Sequence, residues 1–152
     1  MSLKKAITVQ VSGLLKTPPA NSKVTLPDPN DMTKLDIELD GPAGTPYEGG
    51  HFHVLMTLDA EKFPIKAPDV IFTTKIYHPN VENKTGIACI PLLLPANWRP
   101  AIKLTKVIEA IIELLQNPAP DHAVDPDIGA EYSIDQAKFA QTAKEWTQRY
   151  AN

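Results

Sequence analysis

The sequence predicts an α+β fold in which helices are set apart from an antiparallel sheet. Three observations support this. Two segments alternate apolar and polar residues with a period of two: Thr33–Asp40, and the stretch carrying Phe52, Val54, Met56 and Leu58. The loop between them is punctuated by Gly41-Pro42-Ala43-Gly44-Thr45-Pro46, and sequential strands on short loops form an antiparallel meander. Helical spacing occurs outside this region, once before it and repeatedly after residue 103.

Leu3, Ile7, Val11 and Leu14 fall on one helical stripe, and Thr17-Pro18-Pro19 stops it because proline cannot continue a helix. The β-branched residues Ile7, Thr8, Val9 and Val11 work against helical propensity there, so the stripe has to outweigh them. Lys23–Leu26 is the expected first strand. In the second, Leu35, Ile37 and Leu39 point one way and Lys34, Asp36 and Glu38 the other, the mark of a half-buried strand. The third turns Phe52, Val54, Met56 and Leu58 inward and leaves His51 and His53 exposed. Val70-Ile71-Phe72 is the fourth. After Asn80, about twenty residues carry no periodicity, a length that is usually functional in a compact domain. Leu104, Val107, Ile108, Ile111, Ile112 and Leu115 then mark a strongly apolar helix ended by Asn117-Pro118, placed centrally by its two-faced hydrophobicity. A short helix is expected over Asp127–Tyr132. Ser133, with Gln136 three residues on, reads as a capping box that opens the last helix. Phe139, Ala143, Trp146 and Tyr150 are expected to line its buried face. The predicted order is thus an N-terminal helix, a four-stranded meander, an irregular segment and three helices.

At 152 residues the chain has the length of one ordinary domain, and no repeat, low-complexity tract or linker divides residues 1–152. A net charge of −3 gives no electrostatic footprint for nucleic acid. No apolar stretch reaches membrane-spanning length, and Met1-Ser2-Leu3-Lys4-Lys5 lacks the hydrophobic core of a signal peptide. The single cysteine excludes an internal disulfide framework and fits a reducing compartment, the cytoplasm or the nucleus. No metal is expected, since one cysteine makes no cluster and the four histidines show no ligand spacing along the chain.

That cysteine, Cys89, lies nine residues after Asn80 of Tyr77-His78-Pro79-Asn80 and nine before Trp98 of Trp98-Arg99-Pro100-Ala101. A lone cysteine is commonly a buried apolar filler. The run around it argues otherwise. Gly86 stands just before the thiol, and four further motifs occupy fixed places: Gly41-Pro42, Pro46-Tyr47-Glu48-Gly49-Gly50, Phe63-Pro64-Ile65-Lys66-Ala67-Pro68 and Glu145-Trp146-Thr147. Each is weak alone, but seven in this order are specific. Together they resemble the ubiquitin-conjugating enzyme family over nearly the whole chain.

The resemblance implies that Cys89 carries the C-terminal glycine of ubiquitin, or of a ubiquitin-like modifier, as a thioester. The donor would be the activating enzyme, which uses ATP; this chain shows no phosphate loop and is expected to hold no cofactor. An ordinary thiol is only a few per cent thiolate at neutral pH yet very nucleophilic, and sulfur-for-sulfur exchange is nearly balanced, so no adjacent base is required. By resemblance His78 is structural, shaping the turn through backbone hydrogen bonds, and Pro79 fixes that turn. Asn80 has two open roles. It either donates to the oxyanion formed when the thioester is attacked, a role worth up to about 3–4 kcal/mol elsewhere, or holds the loop over the cysteine.

Many members that modify lysine directly carry an acidic residue two places after the cysteine and another after the central helix. Those places hold Pro91 and His122 here. Lysine is under about 0.1% neutral at pH 7, so its attack benefits from a carboxylate, whereas a cysteine acceptor does not need one. Asp121, beside His122, partly restores the missing group. With Asn97-Trp98, these positions look like the branch restricted to cysteine acceptors, which serves HECT and RING-between-RING ligases. By resemblance, HECT or RING-type ligases grip Phe63-Pro64-Ile65-Lys66 and Arg99-Pro100-Ala101, with Ile65 standing where an aromatic anchor is usual. Lys4 and Lys5 would face the activating enzyme. Leu92, Leu93 and Leu94 are expected either to pack under the central helix or to form an exposed apolar patch. The segment from Asn80 to Cys89 is one residue longer than in most relatives, near Glu82-Asn83-Lys84-Thr85, a length a surface turn absorbs. Alternative readings are an enzyme for another modifier and an inactive variant serving as a scaffold. Trp98-Arg99-Pro100-Ala101-Ile102 also resembles the SUMO-conjugating type, which is strongly basic where this chain is slightly acidic. An inactive variant usually lacks the cysteine that this chain retains.

Overall fold

The computed structural model describes residues 3–152, from an N-terminal helix α1 (Leu3–Lys16) to a C-terminal helix α4 (Gln136–Tyr150). Ile7, Val11 and Leu14 bury the predicted stripe of α1, and the burial of that face outweighs its β-branched residues. The side chain of Leu3 lies outside what the structure describes.

Four strands follow: β1 (Ser22–Thr25), β2 (Lys34–Asp40), β3 (His51–Thr57) and β4 (Asp69–Phe72). They pair in sequence order, each antiparallel to the next, as a meander. In β2 and β3 every second residue is fully buried, so Leu35, Ile37 and Leu39 face the core beside Phe52, Val54 and Met56. The register pairs Leu35 with Met56, Ile37 with Val54 and Leu39 with Phe52, which puts both apolar sets on one face. β1 runs Ser22–Thr25, one residue ahead of the expected range.

The central helix α2 (Leu104–Gln116) buries Leu104, Val107, Ile108, Ile111, Leu114 and Leu115 in the same core cluster as the inner sheet face. Its own N-cap residue, Lys103, supplies no side-chain cap. Gln10 of α1 does so instead, its Oε1 accepting the Leu104 amide at 2.8 Å.

α3 spans Pro126–Ile134, longer at both ends than Asp127–Tyr132. Asp125 caps it by accepting from the Asp127 and Ile128 amides, with Pro126 in the first turn. Ser133 does not open the last helix. It lies inside α3, and the N-cap of α4 is Asp135, whose carboxylate accepts from the Lys138 amide at 3.1 Å.

The buried face of α4 also differs from expectation. Phe139, Ala143 and Thr147 are buried, Trp146 is half-buried and Tyr150 is exposed. Trp146 and Tyr150 flank that stripe, and the Lys75 ammonium sits 5.1 Å from each ring centroid, an arrangement that favours partial exposure. Among the described residues, no helix is long and apolar enough to cross a membrane.

Candidate active site

The turn Tyr77–Asn80 follows β4 and is anchored from several directions. Tyr47 Oη donates to the Tyr77 carbonyl at 2.7 Å, and Tyr77 Oη donates to Glu131 Oε1 of α3 at 2.9 Å. His78 is fully buried. Its Nδ1 accepts from the Asn80 amide at 3.0 Å, which assigns the proton to Nε2 and lets Nε2 donate to the Leu114 carbonyl of α2 at 2.8 Å. Burial lowers the His78 pKa to about 4. The imidazole is therefore neutral with both nitrogens engaged, a bridge between turn and helix rather than a base. Pro79 is buried, and its carbonyl accepts from the Val124 amide at 2.9 Å.

Asn80, also fully buried, reaches across to the segment after α2. Its Nδ2 donates to the Ala119 and His122 carbonyls at 2.8 and 3.1 Å, and its Oδ1 accepts from the Ala119 amide at 2.9 Å. Both amide protons are thus engaged in holding residues 119–122. In this conformation the Asn80 side chain ties the turn to the segment after α2.

The Asn80 carbonyl accepts from the Cys89 amide at 2.8 Å, while Val81 bridges Ala88 and Ile71 of β4 bridges Ile87. The stretch after Asn80 is therefore less irregular than its sequence suggests, because it doubles back alongside β4. Gly86 makes this possible. It sits at φ +77°, and a Cβ there would lie 2.0 Å from the Phe72 carbonyl oxygen. Glu82, Lys84 and Thr85 are exposed on this return, and the Cys89 amide bonds back to the Asn80 carbonyl at its end.

Cys89 is partly exposed, and burial pushes its thiol pKa up. It lines a groove of about 450 Å3 between Asp69, Val70 and Ile71 of β4 and Ile87, Leu93 and Leu94. Asp69 is the one charged side chain in that lining. Pro91 opens a single 3-10 turn, Pro91–Leu93, and its carbonyl accepts from Asn97 Nδ2 at 2.7 Å. Leu92 and Leu93 pack half-buried against the core, so the leucine run both supports the fold and walls the groove. Asp121 and His122 are exposed on a second such turn, Pro120–His122, the one Asn80 holds.

The two predicted ligase loops meet. Trp98 Nε1 donates to the Pro64 carbonyl at 2.9 Å. Ile65 (68% exposed), Pro68, Leu93, Pro95, Trp98 and Pro100 line a depression of about 510 Å3, and Arg99 and Ala101 are exposed beside it. Lys66 lies 3.8 Å from Asp59. Phe63 is a correction: it is fully buried, so it supports its loop from beneath and presents no surface. Lys4 and Lys5 are exposed on α1. Sequence reasoning missed Asp69 and Ile87 in the thiol groove and Tyr47 beneath the turn. Period-two exposure in β4 was the only signal for Asp69, and nothing local marks Ile87.

Comparison with known proteins agrees with this geometry. The family model described as ubiquitin-conjugating enzyme matches residues 6–147. Over 151 residues, 99% of each protein, the chain is 35% identical to ubiquitin conjugating enzyme E2 B of Dictyostelium discoideum. A thiol on an open groove beside a fully hydrogen-bonded His-Pro-Asn turn, in a helix–meander–helices frame, is thus accompanied by full-length similarity. The chain belongs to the ubiquitin-conjugating enzyme family.

Proposed function

We propose that Cys89 takes ubiquitin from the activating enzyme as a thioester and passes it to a ligase cysteine. The Cys89 thiolate attacks the donor's thioester carbonyl, the new S–C bond forms, the old one breaks, and the donor leaves as a thiolate that takes up a proton. The second transfer repeats this exchange with the ligase cysteine as nucleophile. ATP is consumed by the activating enzyme, and this chain needs no cofactor of its own.

The observation that carries the reading is the placement of Cys89: reachable at the wall of a groove, with its amide tied to Asn80. His78 and Pro79 hold the turn, and Asn80 is a positioning residue that fixes residues 119–122 against it. The preference for cysteine acceptors is supported by Pro91 and His122, neither of which supplies a carboxylate to orient and deprotonate a lysine. The exposed loops around Ile65, Lys66, Arg99, Pro100 and Ala101 would seat the ligase, and Lys4 and Lys5 the activating enzyme.

The test is a charging reaction with activating enzyme, ATP and ubiquitin on a non-reducing gel. A thiol-sensitive adduct is expected, abolished in Cys89→Ser. Charged enzyme is then offered free cysteine or free lysine. Rapid loss to cysteine with little loss to lysine is expected, and equal rates would overturn the acceptor preference. Charging with SUMO in place of ubiquitin would overturn the choice of modifier.

A further inference from the structure

The outer face of the sheet carries side chains that the chemistry at Cys89 does not use. β2 turns Asp36, Glu38 and Asp40 outward, and β3 turns out His51 and His53. The register sets Asp40 directly opposite His51 and Glu38 directly opposite His53. His51 Nδ1 lies 3.0 Å from Asp40 Oδ1, and His53 Nε2 lies 3.5 Å from Glu38 Oε1. One ligand atom from each of Glu38, Asp40 and His51 lies within 4.8 Å of the others.

We infer that Glu38, Asp40 and His51 form a binding site for a divalent transition-metal ion of the zinc type. Their chemistry selects the ion class. An imidazole nitrogen with two carboxylate oxygens suits zinc, whereas calcium and magnesium take oxygen ligands alone. The distances suit it too. With metal–ligand bonds of about 2.0–2.2 Å, the edges of a tetrahedron are roughly 3.3–3.6 Å. The His51–Asp40 pair is already close to that spacing at 3.0 Å, and Glu38 offers a carboxylate oxygen within 4.8 Å of both. The scaffold is rigid, since all three residues belong to one fully paired ladder and no backbone has to be ordered on binding.

Competing contacts are weak. His53 is shared between Asp36 Oδ2 at 3.1 Å and Glu38 Oε1 at 3.5 Å, and none of its ring atoms belongs to the three-residue group. Lys23 Nζ, on a side chain 81% exposed, approaches Glu38 Oε2 at 3.6 Å, an exposed ion pair that a divalent ion displaces readily.

The test uses Cys89→Ser protein, so that the thiol cannot serve as a ligand. Zinc chloride is titrated by calorimetry, with backbone amide spectra recorded in parallel. One saturable equivalent is expected, with shifts centred on residues 38, 40 and 51. His51→Gln and Asp40→Asn should each weaken binding by tenfold or more, as loss of even supporting groups costs about 10–100-fold at metal sites. His53→Gln should change it far less, and magnesium chloride should not compete. Absence of saturable binding, an unchanged affinity in His51→Gln, or loss in His53→Gln alone would each overturn the assignment. Asp40, His51 and His53 lie on the outer sheet face, so each of these substitutions is expected to leave the circular dichroism spectrum of the Cys89→Ser protein unchanged.

Discussion

Cys89 and His78 are both shifted by burial, in opposite directions, and the two shifts have different measurable consequences. For the thiol, burial favours the neutral form, so the thiolate fraction is smaller than in an ordinary cysteine at the same pH. Because Cys89 is the sole cysteine, alkylation by iodoacetamide reports it directly. The rate is expected to rise roughly tenfold per pH unit through neutrality, with its inflection above the ordinary thiol value. An inflection below that value would show an activating charge beside the thiol, which the described residues do not supply. For His78, the folded-state pKa of about 4 lies below the ordinary 6.5, so the unfolded chain binds the extra proton first. Its contribution to stability is complete above about pH 6.5 and is lost as pH falls toward 4. Urea unfolding should show up to about 3 kcal/mol lost over that range from this group. His78 itself titrating near 6.5 in folded protein, followed by its assigned ring resonance, would contradict the buried bridge. The part of the site nearest the thiol was legible in the sequence because the His-Pro-Asn turn and the cysteine lie within one short stretch. The partners of Asn80 were not, since they stand 39 and 42 residues away.

At the level of elements, the strands and the central helix were readable because one-sided burial imposes a strict period on their residues. Helix starts were harder. Ser133 and Asp135 are both good capping residues two positions apart, and local chemistry does not choose between them. The choice is made where α3 ends, at Ile134, which leaves Asp135 as the first residue free to turn its carboxylate onto α4. Asp135→Ala should therefore cost about 1 kcal/mol in thermal or urea unfolding, and Ser133→Ala less than about 0.5 kcal/mol. The reverse order would restore the capping box. The outer-face grouping of Glu38, Asp40 and His51 was hidden for a related reason. Spacing along the chain says nothing about which residues a strand register sets side by side.

Across the molecule, the thiol groove and the loop depression share Pro68, Asp69 and Leu93, so a protein seated on the loops touches the wall of the groove. Trp98 ties the two loops through its bond to Pro64. Trp98→Phe should cost about 1 kcal/mol of stability and reduce ligase-stimulated discharge more than unstimulated discharge. Equal loss of both would separate the loops from the groove. The order of the chain adds a consequence for biosynthesis. His78 and Asn80 precede Cys89, yet their anchors at Leu114, Ala119 and His122 follow it. A ribosome that has just extruded the cysteine presents a thiol without its finished surroundings. The hydrogen bonds that frame the thiol can close only once the stretch through His122 has cleared the exit tunnel.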